Sequence, residues 1–208
     1  MKLTLHYHPL SSFCWKVLVG LYELDVPFEP HLVDLSNPDE RAALARLWPL
    51  AKFPVLQDGD RAIPESTIIL EYVDRGHRLI PADPARALEC RLRDRIYDAY
   101  IHAPMQAIVG DRLRPAEARD AFGVDHARER LETAYAIADD HVRTGIWAMG
   151  DDFTLADCAA FPALYYANRV APLGRWKHLS AYLARLTARP SVARVLHEAQ
   201  PYLQMFPT

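Results

Sequence analysis

The chain has 208 residues, 50% of them hydrophobic and 25% charged, with 24 basic against 27 acidic side chains for a formal net charge of -3. That composition suits one large or two small globular domains with well-buried cores, and it leaves no excess of cationic charge for a phosphate backbone, so nucleic acid is not an expected partner. The opening MKLTLHYHPL lacks the apolar core and cleavage site of a signal peptide, and no later segment reaches about 18 unbroken apolar residues; the expected setting is cytoplasmic, with no membrane partner.

Residues 2 to 8 alternate Leu3, Leu5 and Tyr7 against Thr4, His6 and His8, the period of a half-buried strand that Pro9 ends. Apolar side chains from Phe13 to Leu21 then recur at helical spacing, with Ser11 or Ser12 near the N-cap. A strand is expected over 28 to 33. SNPDERAALARLW follows with Ser36 or Asn37 as cap, Pro38 in the first turn, and Asp39 and Glu40 at the positive end of the helix dipole. FPVLQDGDRAIP predicts a hairpin turned at Asp58-Gly59, and ESTIILEYVDR a helix.

The first part therefore reads β-α-β-α-β-β-α, a sheet with helices on its faces. GHRLIPADP concentrates Gly and Pro without a core stripe and predicts a linker. The boundaries expected are 1–76 for the α/β domain, 77–84 for the linker and 85–208 for a second domain. From Ala85 onward every long segment has helical apolar spacing, so this domain is expected to be all-α. Within it Thr154 and Asp157 fit a capping box, with Phe153 and Cys158 at the positions of a hydrophobic staple.

Cys14, Cys90 and Cys158 lie far apart with no C-x-x-C or zinc spacing, and the 9 histidines include no H-E-x-x-H pair. Reduced thiols and no metal are expected. Around residue 11 two serines and a cysteine stand where a strand hands over to a helix, and each has a packing role as well as a chemical one.

Taken in order, SSFCWKV after the first strand, Phe53-Pro54 before a hairpin, Glu65-Ser66 opening a helix, and DFTLADCAA in the helical half resemble the cytosolic glutathione transferase family over essentially the whole chain. The resemblance implies a thioredoxin-like N-terminal domain that binds glutathione as co-substrate, and an all-helical C-terminal domain that completes a pocket for a small electrophile. It implies a homodimer, a cis bond before Pro54, the Phe53 backbone paired with the cysteinyl part of glutathione, Glu65 and Ser66 at its γ-glutamyl end, and Lys52 near its glycyl carboxylate.

Such an enzyme must present the glutathione thiol, whose unperturbed pKa is near 8.5, as the thiolate nucleophile. Serine is too weak a base to take the proton, so its role is to donate an O–H hydrogen bond to the sulfur anion. Aligning Val17 with the serine-type classes, of which the zeta class is closest in motif, puts the active hydroxyl on Ser11, with Ser12 next to it; Tyr7, before His8-Pro9, matches the context of the tyrosine-type classes. Phe13 stands where the zeta class has a cysteine associated with cis-trans isomerisation. Cys14 reads as packing. Residues Tyr97, Tyr100, Ile101, Pro104, Met105 and Ile108 are candidate walls for the second substrate, and PYLQMFPT for its cover. The implied activity is conjugation of glutathione to a small electrophile; the alternatives are a glutathione-dependent, maleylacetoacetate isomerase-like cis-trans isomerase, or a non-catalytic binding protein.

Overall fold

A computed structural model describes residues 3–206. Lys2, at the start of the first expected strand, and Pro207 and Thr208, at the end of the expected pocket cover, lie outside the described residues.

The N-terminal part runs β1 (Leu3–Tyr7), α1 (Ser12–Glu23), β2 (Glu29–Leu32), α2 (Pro38–Leu47), β3 (Val55–Asp58), β4 (Arg61–Pro64) and α3 (Ser66–Val73), as the sequence predicts. The four strands form one sheet in the order β2-β1-β3-β4, with β1 parallel to β2 and antiparallel to β3. The hairpin turns at Gly59, whose φ of 58° is the left-handed conformation that glycine enters without steric cost. One face of the sheet carries Leu5 into the main core against α1 and α3, while α2 covers the other through a small cluster of Val33, Leu44 and Val55. This is the thioredoxin-like arrangement, followed by an all-helical domain.

That domain contains α4 (Pro84–Arg95), a π-helical turn (Ile96–His102), α5 (Ala103–Arg112), α6 (Ala121–His141), α7 (Leu155–Val170), α8 (Lys177–Ala188) and α9 (Pro190–Ala199), with short 3-10 turns at Ala116–Ala118 and Gln200–Met205. Two breaks fall inside segments whose periodicity alone reads as continuous. Pro104 has no N–H for the carbonyl one turn back, and the wider π turn just before it accommodates that loss while aiming Tyr97, Asp98, Ile101 and His102 inward. Pro190 pushes Arg189 out of the helical region to ψ 135°, separating α8 from α9.

The linker has no core stripe, yet it contributes two side chains to the core. Leu79 and Ile80 are buried in the main core, and the Asp74 carboxylate accepts from the backbone N–H groups of Arg78 (2.8 Å), Leu79 (3.0 Å) and Ile80 (2.8 Å). Short range hides this, because the apolar pair is too brief for a period to show. Among the described residues no helix is long and apolar enough to cross a membrane.

Both halves share one continuous core. Trp15 of α1 stacks on Phe161 of α7 with ring centroids 5.4 Å apart, and its indole N–H donates to the Pro9 carbonyl at 2.5 Å. At the next position, the fully buried Lys16 ammonium meets Asp94 Oδ1 at 2.5 Å, Asp98 Oδ2 at 2.6 Å and Thr67 Oγ1 at 2.8 Å. Burial pushes the Asp98 carboxyl above its ordinary pKa, and the Lys16 ammonium opposes that shift. At α7 the expected capping box is present, and it extends further: the buried Asp157 carboxylate accepts from Thr154 N (2.8 Å) and Oγ1 (3.0 Å), Ala148 N (2.7 Å) and the Tyr182 hydroxyl (2.5 Å).

Two stability predictions follow from these buried charges. Lys16→Met strands two buried carboxylates and should cost about 3–5 kcal/mol in urea unfolding. Asp157→Ala removes the acceptor for four donors and should cost at least about 3 kcal/mol by the same measurement.

Candidate active site

The loop between β1 and α1 is fixed from the helical side. The Tyr166 hydroxyl donates to the Leu10 carbonyl at 2.9 Å, the Trp15 indole holds Pro9, and Ser11 N–H donates to the His8 carbonyl at 3.0 Å. Ser11 is the N-cap of α1: its backbone is extended and its Oγ accepts from Cys14 N–H at 3.3 Å. That bond occupies a lone pair and leaves the Ser11 hydroxyl hydrogen to donate elsewhere. Ser12 is buried and its Oγ is hydrogen-bonded to Nε2 of His102, from the π turn of the other domain. The Cys14 thiol is fully buried, and desolvation pushes its pKa up to about 12, so it is a packing group rather than a nucleophile.

Two cavities meet beside this helix start. A smaller one of about 210 Å³ gathers Lys52, Phe53, Pro54, Glu65 and Ser66, bringing together all five residues expected at a tripeptide site. Phe13, Trp48, Ala99, Arg95 and Asp98 complete it. The last three come from the helical domain, where Arg95 contacts the Asp98 carboxylate at 2.6 Å. Their opposite charges three positions apart on one helix were a readable signal; the fold is what brings them to this cavity.

The backbone here is unusual. Phe53-Pro54 is cis, and Glu65 has φ 72°, a conformation that costs a non-glycine residue about 1–3 kcal/mol and persists where the surroundings over-determine it. Glu65 makes no side-chain capping bond to α3, so its carboxylate is not spent on that helix. The cavity thus offers cations at Lys52 and Arg95, anions at Glu65 and Asp98, and the free N–H groups at the start of α3. It suits a ligand that carries charges of both signs.

The second cavity, about 380 Å³, is apolar and shares Phe53 with the first. Leu10, Ser11 and Ser12 form its floor, Met105, Val109 and Leu113 one wall, and Tyr166, Met205 and Phe206 the far side, with Gln106 and Gly110 between. Phe206 stacks on Tyr166 at 5.1 Å, so the C-terminal segment does border this space.

Of the six wall candidates named from sequence, only Met105 lines it. Tyr97, Ile101 and Ile108 are buried in the main core, Pro104 is buried too, and Tyr100 is 55% exposed. The face of α5 that borders the cavity is instead the one carrying Met105, Val109 and Leu113. Tyr7 also lies elsewhere, lining a separate cavity with Tyr22, Phe28, Arg194 and Glu198 between α1, β2 and α9. Burial there raises its pKa, which disfavours a phenolate.

Comparison with known proteins agrees with this architecture. The glutathione S-transferase N-terminal domain family matches residues 5–81 and the glutathione S-transferase C-terminal domain family residues 116–185. A probable maleylacetoacetate isomerase of Caenorhabditis elegans is 30% identical over 81% of this chain and 80% of that protein. A stringent starvation protein A homologue of Coxiella burnetii is 31% identical over 97% of this chain and 95% of that one. The crystal structure of a Methylobacterium radiotolerans glutathione S-transferase in complex with glutathione sulfonate superposes with a TM-score of 0.81 at 27% identity, covering 94% of each chain. By sequence and by fold, the chain belongs to the glutathione transferase family.

Proposed function

We propose that this glutathione transferase holds glutathione in the charged cavity and adds its thiolate to an apolar electrophile in the adjoining one, with Ser11 stabilising the sulfur anion. The observation that carries the reading is the meeting of a cavity with charges of both signs and an apolar cavity at Phe53, directly beside a helix start whose capping serine retains its hydroxyl hydrogen. In this reading the glutathione carboxylates face Lys52, Arg95 and the Ser66 end of α3, its ammonium faces Glu65, and the Phe53 backbone pairs with its middle residue beside Pro54.

The energetics suffice. Lowering a thiol pKa by about two units takes roughly 2.7 kcal/mol. One hydrogen bond to an anion supplies about 1.5–3 kcal/mol and a helix N-terminus about 0.3–1 kcal/mol. The thiol proton leaves to solvent; the thiolate then forms a carbon–sulfur bond with the electrophile, and the displaced group departs with its electron pair.

The similarity to an isomerase raises a second reading, in which the same thiolate adds to a maleyl-type dianion. Against it, no Lys, Arg or His is found among the described residues that line the apolar cavity. Unpaired carboxylates there would bear the full cost of desolvation. The cavity favours uncharged, apolar electrophiles.

Several wider assignments belong to the same proposal. The glutathione-binding domain is placed at 1–76, the linker at 77–84 and the helical domain at 85–208. A homodimer is supported by the outward-facing Ile68 of α3 and Leu88 and Leu92 of α4, each at least half exposed, on helices joined by the Arg91–Glu71 ion pair. A cytoplasmic location is supported by three cysteines that remain unpaired.

Ser11→Ala should raise the pKa of bound glutathione, read from thiolate ultraviolet absorbance, by about one to two units and lower kcat/KM for an aryl halide about 10- to 100-fold below that pKa. Tyr7→Phe should leave both unchanged. Turnover of a maleyl-type alkene faster than that of the aryl halide would sink the conjugation reading. Sedimentation should report twice the chain mass of 23.6 kDa, and Leu88→Lys with Leu92→Lys should return it to the single-chain value.

A further inference from the structure

The start of α1 carries two hydroxyls, and one of them is held by a ring from the other domain. Ser12 is 8% exposed and His102 2% exposed, and the bond between Ser12 Oγ and His102 Nε2 is enclosed by protein. Phe13 packs on the imidazole with ring centroids 4.2 Å apart, and Nδ1, also buried, has no hydrogen-bond partner among the described residues. Among the described residues Ser12 is therefore the ring's sole hydrogen-bond partner. Position adds to this: Ser12 lines the apolar cavity and its neighbour Phe13 the charged one, so the Ser12 end of this bond stands where the two cavities adjoin.

The surroundings of the imidazole favour its neutral form. Burial, helped by the nearby Lys16 ammonium, pushes its pKa down to about 3, and Lys16 is itself paired with Asp94 and Asp98. A ring held so far below its ordinary pKa is a poor acceptor for the thiol proton, which disfavours a serine–histidine relay. A neutral imidazole has one N–H, and its place decides what Ser12 can do. With the hydrogen on Nδ1, Nε2 accepts the Ser12 hydrogen and the hydroxyl has none left for sulfur. With the hydrogen on Nε2, the ring donates to Ser12 Oγ and the hydroxyl hydrogen is free. A thiolate beside the helix start favours the second state, because it gains an O–H donor.

We propose that His102 is a positioning residue whose Nε2–H donates to Ser12 Oγ and turns the Ser12 hydroxyl hydrogen toward the glutathione sulfur, making Ser12 a second donor beside Ser11. This rests on the glutathione transferase reading above. The helical domain then takes part in stabilising the thiolate as well as in shaping the electrophile pocket, and the π turn before Pro104 is the device that delivers it.

The test compares bound-glutathione thiol pKa values in wild type, Ser12→Ala, His102→Leu, His102→Gln and the Ser12→Ala/His102→Leu double variant, alongside binding of S-methylglutathione. Ser12→Ala and His102→Leu should each raise the thiol pKa by about half to one unit, a three- to tenfold loss of thiolate. The double variant should move it no further, His102→Gln, which keeps a donor near Nε2, should restore it, and S-methylglutathione affinity should change little. Nitrogen-15 NMR of the wild-type glutathione complex should show the Nε2–H tautomer. A pKa unmoved in Ser12→Ala, effects that add in the double variant, or an Nδ1–H tautomer each overturn the proposal, and the first and last hold even where His102→Leu does not fold. Failure of the underlying reading looks different: wild type would bind S-methylglutathione weakly or leave the glutathione thiol at its ordinary pKa.

Discussion

The structure depends on one buried cation. Lys16 sits inside the molecule with its ammonium against Asp94, Asp98 and Thr67, and these partners come from three different helical elements. A full set of partners is what makes a lysine tolerable there, since its desolvation must be offset by short contacts with geometry that holds them. The consequence is mutual orientation. α1, which starts at the serines, α3, which starts at Glu65-Ser66, and the α4–π segment, which carries Arg95 and His102, are all positioned relative to the same nitrogen. Each contributes to the site, and none can shift without disturbing the pairing.

Much of the fold was legible because its signals are local. Asn37 caps α2 by accepting Asp39 N–H at 3.0 Å, Gly59 turns the hairpin, and Thr154 and Asp157 cap α7, all from residue type and spacing. The charged cavity was legible by another route: Lys52, Phe53, Pro54, Glu65 and Ser66 occur in two short motifs that the family resemblance tied to one ligand. What the sequence could not show were juxtapositions across domains. Ser12 and His102 are 90 positions apart, Lys16 and Asp98 are 82 apart, and no local pattern announces either pair.

The wall of the apolar cavity was misread for a more specific reason. An apolar stripe marks a buried face, but burial against the main core and burial beside a ligand look alike in periodicity. Tyr97, Ile101 and Ile108 took the first role, while the mixed stripe of Met105, Gln106, Val109 and Gly110 took the second. A proline-induced π turn, whose register shift is invisible to a 3.6-residue period, lies just upstream.

The continuity of the core across Trp15, Phe161 and the buried linker pair Leu79 and Ile80 bears on how such proteins diversify. A helical half carrying a new electrophile pocket cannot simply be spliced at the linker, because the junction that matters is the face of α1, far upstream in the chain. A productive recombinant would have to bring Trp15, Lys16 and their partners as one cassette. Lys16 draws its partners from α3, α4 and the π turn, so variation at Val109 and Leu113 changes the apolar wall without altering those partners, leaving substrate preference free to drift.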